Sequence, residues 1–141
     1  MDALDLTNRP PRSPNERLGG LIMLARTIDK LRATLPGGNL GSYQIPGFSV
    51  RLMSGLGIEE SALRDEVAGA SSDDEIVAWV REHSDPSRYE EINAILRQRR
   101  IADRIDDPEF VAKYPVAASL PRETPLIEML DLDDRASFAK P

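Results

Sequence analysis

Apolar residues recur at intervals of three and four through most of the chain, and the longest such pattern runs from Ser13 to Leu35. Leu18, Leu21, Ile22, Ala25, Ile28, Leu31 and Leu35 fall on one helical face, which Met23 and Leu24 widen toward a second neighbour. Ser13, Pro14 and Glu16 read as a helix start: Ser13 can accept from the Glu16 N–H, Pro14 suits the first helical position, and Glu16 can reach back. A helix over residues 13–35 would be about 34 Å long, the width of a small domain, and this makes it the expected central element. Gly19 and Gly20 weaken its second turn by roughly 1 kcal/mol each relative to Ala, so close approach by another backbone or a ligand is expected there.

Shorter patterns follow. Pro36-Gly37-Gly38 ends the first helix, and a Gly-rich loop holding Tyr43 runs to Pro46-Gly47; residues 41–50 have room for a short extended piece. Helices are expected over 49–56 and from 59 to about 68. Ser72-Asp73-Asp74-Glu75 forms a second capping box before a helix ending near His83, with Trp79 assigned to the core. Asp85-Pro86 starts a helix extended to Ile105, although its apolar phase slips after Leu96, across Arg97-Gln98-Arg99-Arg100, where a bend or remodelling is expected. Asp107-Pro108 starts a helix that Pro115 stops at Tyr114, and Thr124-Pro125 starts another carrying Leu126, Ile127, Met129 and Leu130.

The resulting expectation is an all-α single domain. An extended N-terminal arm covers residues 1–12, and a helical domain over 13–114 has the long N-terminal helix at its centre with several shorter helices around it. A Pro-punctuated acidic C-terminal arm with a short helix covers 115–141.

Composition removes several function classes. No cysteine is present, so disulfides, thiolate metal sites and thiol chemistry are absent, and His83 is the only histidine. No metal site and no cofactor are expected. Asp131, Asp133 and Asp134 lack the glycine and distal glutamate of a calcium loop and read as a solvated tail. The N-terminus does not resemble a signal peptide, and the longest apolar run, Leu21 to Ala25, is too short to span a bilayer, so a soluble cytoplasmic protein is expected. A net charge of -6 argues against nucleic acid and acidic membrane as partners. Arg97, Arg99, Arg100 and Arg104 are the one basic concentration; with Asp103, Asp106 and Asp107 beside them they read as a solvated charged face.

Arg26, Asp29 and Lys30 lie within one helical turn of one another and can border a single patch. In the functional reading Asp29 orients Arg26, Lys30 stands beside them, Tyr43 closes the loop over the patch, and a small anion is received. Arg12, Glu16 and Arg51 are further candidates from neighbouring segments. The competing reading is a surface ion pair, or a buried pair tying the loop to the helix.

Arg12-Ser13-Pro14, Leu18-Gly19-Gly20, Ala25-Arg26 with Asp29-Lys30, and Gly41-Ser42-Tyr43 follow one another in an order that resembles an uncharacterised bacterial family of small helical proteins known as a domain of unknown function. The resemblance is clearest over residues 6–82. It implies fold and kinship, and brings no reaction, ligand or cofactor with it. Two function classes remain open. One is a non-catalytic binding or protein-interaction module, monomeric or homo-oligomeric, using apolar surface near the Met-bearing helix or the C-terminal arm. The other is a small enzyme or small-anion binder with its site at the first helix and the following Gly-rich loop.

Overall fold

Backbone conformation at residues 19, 20 and 23 decides where the first helix begins. In the computed structural model, which describes residues 1–138, Gly19 and Gly20 take φ of 61° and 86°, and Met23 takes 70°. Right-handed helical bonding does not pass through left-handed residues. The first helix, α1, is therefore Leu24–Ala33, ten residues rather than the long helix over 13–35 that the apolar spacing predicts. Ahead of it the chain is irregular. Ser13 accepts from the Asn15 N–H at 3.1 Å and donates to Asp131 at 2.8 Å, so the expected capping box folds as a turn instead of a helix start. Leu18 and Leu21 exchange backbone hydrogen bonds of 2.9 and 3.1 Å around the two glycines. The buried Asn93 side chain then fixes this turn, accepting from the Ile22 N–H at 3.0 Å and donating to the Gly20 carbonyl at 2.9 Å.

The remaining helices are α2 (Phe48–Leu56), α3 (Glu60–Gly69), α4 (Asp73–Glu82), α5 (Tyr89–Gln98), α6 (Pro108–Lys113) and α7 (Leu126–Ser137), with short 3-10 turns at 86–88, 101–103 and 115–119. No strand occurs among the described residues; the arm is held instead by an isolated bridge, in which Leu6 N–H donates to Asn39 and Asn39 N–H donates to Leu4. Local caps act where the sequence places them. Ser72 accepts from Glu75 N–H, Asp85 from Ser87 N–H and Asp107 from Glu109 N–H, and α6 stops before Pro115. The helix expected to reach Ile105 ends at Gln98, at the slip in apolar phase, because Ile101 must be buried in a different cluster. Trp79 is only half-buried and stacks on His83 with ring centroids 4.2 Å apart, while Ile76 and Val80 carry the core face of α4.

Two cores result. The larger surrounds α1 and takes side chains from α2 to α5 and Ile127 of α7. The smaller joins Ile101, Phe110, Ala117, Leu126, Met129 and Leu130, and Phe48 packs against both. No helix among the described residues is long and apolar enough to cross a membrane.

A Cβ on Gly19 would come within 2.7 Å of Val77 Cγ1, whereas one on Gly20 meets only Tyr89 Cδ2, at 3.6 Å. Gly19→Ala is expected to lower unfolding free energy by about 1–3 kcal/mol from the left-handed backbone, with the clash in addition. Gly20→Ala is expected to lower it by the backbone part alone. Urea denaturation of the two variants measures the difference, and equal losses would eliminate the Val77 contact as a cause.

Candidate ligand-binding cleft

Every residue from Leu24 to Leu31 is buried, including Arg26 (2% exposed), Asp29 (5%) and Lys30 (8%). An ion carried into the interior requires a partner or loses its charge. The three charges of α1 meet this requirement in three ways. Arg26 Nη1 donates to Asp134 Oδ2 at 2.7 Å, and Tyr43 Oη donates to the other oxygen of the same carboxylate at 2.7 Å. Asp29 accepts the backbone N–H of Arg12 at 2.8 Å and its guanidinium at 3.0–3.2 Å. That guanidinium also donates to Asp73 at 2.7 Å, so Arg12 clamps the arm to α1 and to the start of α4. Burial disfavours the Arg12 cation, but hydrogen bonds to Asp73 and Asp29 outweigh it and hold the pKa above the ordinary value.

Lys30 differs from both. Its Nζ donates to the Gln44 carbonyl at 2.9 Å, and no carboxylate of the described residues lies within ion-pairing distance. Burial, reinforced by Arg26 and Lys113, lowers its pKa from 10.5 to about 7, with Asp134 opposing. Lys30 lines a cleft of about 540 Å³ beside the two larger cores, of a size that suits a small-molecule site. The cleft is walled by Arg26 and Lys30 of α1, the loop at 42–47, Phe48, Arg104, Lys113 of α6, and the inner face of α7. Tyr43 lies beneath the cations, its ring centroid 5.4 Å from Arg26 Cζ and 6.0 Å from Lys30 Nζ. Burial and the bond to Asp134 raise the Tyr43 pKa far above its usual value, so the phenol stays neutral. Asp133, on the same wall, is also pushed upward, by burial and then by Asp134. Two local features mark the site as constrained: Met23, which lines it, holds a left-handed backbone, and the buried Arg26 Nε has no acceptor among the described residues.

The residues that the sequence places together are thus divided. Arg26, Lys30 and Tyr43 line the cleft. Asp29 pairs with Arg12 rather than with Arg26, and the two meet only through that residue, whose carbonyl accepts from Arg26 Nη1 at 3.3 Å. Glu16 stands 3.8 Å from Arg12 at the edge of that second network, and Arg51 is exposed on α2 and lines no part of the cleft. The solvated tail expected at Asp131–Asp134 is instead a docking face: Asp131 accepts from Ser13 and Asn15, and Asp134 is buried against Arg26. Asp134 had a signal in the sequence, since Leu126, Leu130 and Asp134 are spaced by four on one helical stripe. Arg104, Lys113 and Phe48 carried none, because they reach the cleft through the packing of the 101–107 segment, α6 and α2. Arg104 stays partly exposed and bonds Asp107, one of the acids beside it in sequence, at 3.1 Å, while its guanidinium lies 5.1 Å above the Phe110 ring.

The family model of a domain of unknown function, DUF5069, matches residues 8–136, and the chain belongs to this family. The match includes the C-terminal third, beyond the segment where the sequence resemblance is clearest, and so takes in Asp134 and Lys113. Comparison with curated proteins finds no match.

Asp134→Asn removes the charge that answers Arg26 and is expected to destabilise the fold by about 3–5 kcal/mol. Replacing both partners, as in Arg26→Met with Asp134→Leu, is expected to recover most of that loss. Thermal unfolding of the single and double variants tests the pair, and an additive double variant would show that the two residues act independently.

Proposed function

We propose that this member of the family binds a small organic anion in the cleft between α1 and α7, with Lys30 as the principal charge contact. The observation that carries the reading is the buried Lys30 ammonium without a carboxylate partner among the described residues, on the wall of a cleft of about 540 Å³. An anion would supply the missing counter-charge, and the aromatic and aliphatic surfaces of Tyr43, Phe48 and Met129 would enclose its apolar portion. Further support comes from Lys113, which lines the cleft without a carboxylate of the described residues in ion-pairing range, whereas Arg104 is already paired with Asp107. The alternative of a protein-interaction module has less to support it. Met23 and Met129 are buried, and the exposed large apolar side chains, Val50 and Ile95, are on different helices.

The pH dependence follows from the depressed pKa. Between about pH 7 and 10.5 the folded chain binds fewer protons at Lys30 than the unfolded chain, so this group makes stability rise with pH across that window. Anion binding needs the protonated amine and runs the other way, with affinity highest below pH 7. Calorimetric titration with a panel of small carboxylates is expected to give binding about thirtyfold weaker at pH 8.5 than at pH 6, with proton uptake above pH 7. Lys30→Met is expected to abolish that binding while leaving the unliganded protein at least as stable. Failure of every anion in the panel to bind the wild type would remove the reading.

A further inference from the structure

Lys30 can offer more than charge. A lysine held by a carboxylate stays protonated and keeps no lone pair for chemistry, whereas the Lys30 amine bonds only a neutral carbonyl, that of Gln44, at 2.9 Å. It faces a cleft that also holds Lys113, whose ammonium lies over the Tyr114 ring at 5.4 Å with no carboxylate of the described residues in ion-pairing range. One cleft therefore presents an amine freed from acid partners and a second cation able to hold a carboxylate. Resting on the anion-binding reading above, we propose that the cleft takes a small 2-oxo acid and that Lys30 Nζ captures its carbonyl carbon as an imine.

The chemistry balances without an oxidant or a cofactor. The lone pair of the neutral amine forms a C–N bond to the carbonyl carbon, the C=O π pair moves to oxygen, and an N–H proton passes to that oxygen to give a carbinolamine. The hydroxyl then takes a proton and departs as water, the nitrogen lone pair closes C=N, and the remaining N–H proton is released to water. The lowered pKa of about 7 leaves a substantial fraction of the amine neutral near pH 7. The departing hydroxyl takes its proton from water entering the cleft. Tyr43 is unsuited to that task, because its hydroxyl proton is engaged by Asp134.

The test is reductive trapping. The full chain is incubated with pyruvate and sodium borohydride, and the reduced adduct is mapped by peptide mass spectrometry over the three lysines, Lys30, Lys113 and Lys140, and the terminal amine. The expected result is labelling of Lys30 at least about tenfold above the other amines. Lactate, which carries the carboxylate without the carbonyl, is expected to protect Lys30, and Lys30→Met to lose the specific adduct. The comparison among lysines is internal to the wild-type chain and does not depend on the variant folding. Even labelling of all amines, or none, together with a thermal shift from pyruvate and lactate, would overturn imine formation and leave anion binding standing. Absence of both labelling and shift, alongside failure of the wider anion panel, would overturn both.

Discussion

A charged side chain carried into the interior on α1 has to be met by a group brought there from elsewhere in the chain, because an unpaired ion in a low-dielectric interior is strongly disfavoured. Arg26 is met by Asp134, 108 positions away, and Tyr43 donates to the same carboxylate from the loop between them. This one node fixes α7 against α1 and closes the 42–47 loop over both. The cleft exists because these elements are held at that distance: α7 provides its inner wall, and α1 contributes the facing cations. A buried ion pair of this kind adds little net stability compared with an apolar pair of similar shape, but it punishes every arrangement that leaves one partner alone. Its effect is to specify how the last helix docks.

Asp29 follows the same rule one turn further along α1. Its partner Arg12 extends the pairing to Asp73, so the arm, α1 and the start of α4 are joined through one guanidinium. Lys30 is where the rule is left unfulfilled by the described residues, and the compensation is a lowered pKa instead of a counter-ion. Interior amines of this kind are poised between an ammonium that attracts anions and a free amine that attacks carbonyls. Both proposed roles of the cleft derive from that balance.

Much of the all-α fold was legible in the sequence, and the errors have specific causes. Ser72, Asp85 and Asp107 cap helices where they were expected to, since a cap is decided by a side chain and an N–H two or three residues away. Ser13 looks the same in sequence but serves Asp131, a tertiary partner that outcompetes the local cap. The apolar spacing across 13–35 is real, and Leu21 and Ile22 are fully buried, yet they are buried from an irregular turn. Periodicity reports which residues are buried, and two glycines at positive φ with Asn93 holding their backbone decide how the chain delivers them.

By itself the sequence determined the helices with strong local signals, the segments that supply the core, and Arg26, Lys30 and Tyr43 as residues of interest. These rest on interactions within about four positions, which are readable from a string of residues. Only the tertiary structure decided that Arg26 and Asp29 turn to different partners, that Asp134 is buried, and that Lys30 lacks an acid among the described residues. Charge compensation acts across space between groups far apart in the chain, and α1, enclosed on all sides, leaves the choice of partner to whatever packs against each face.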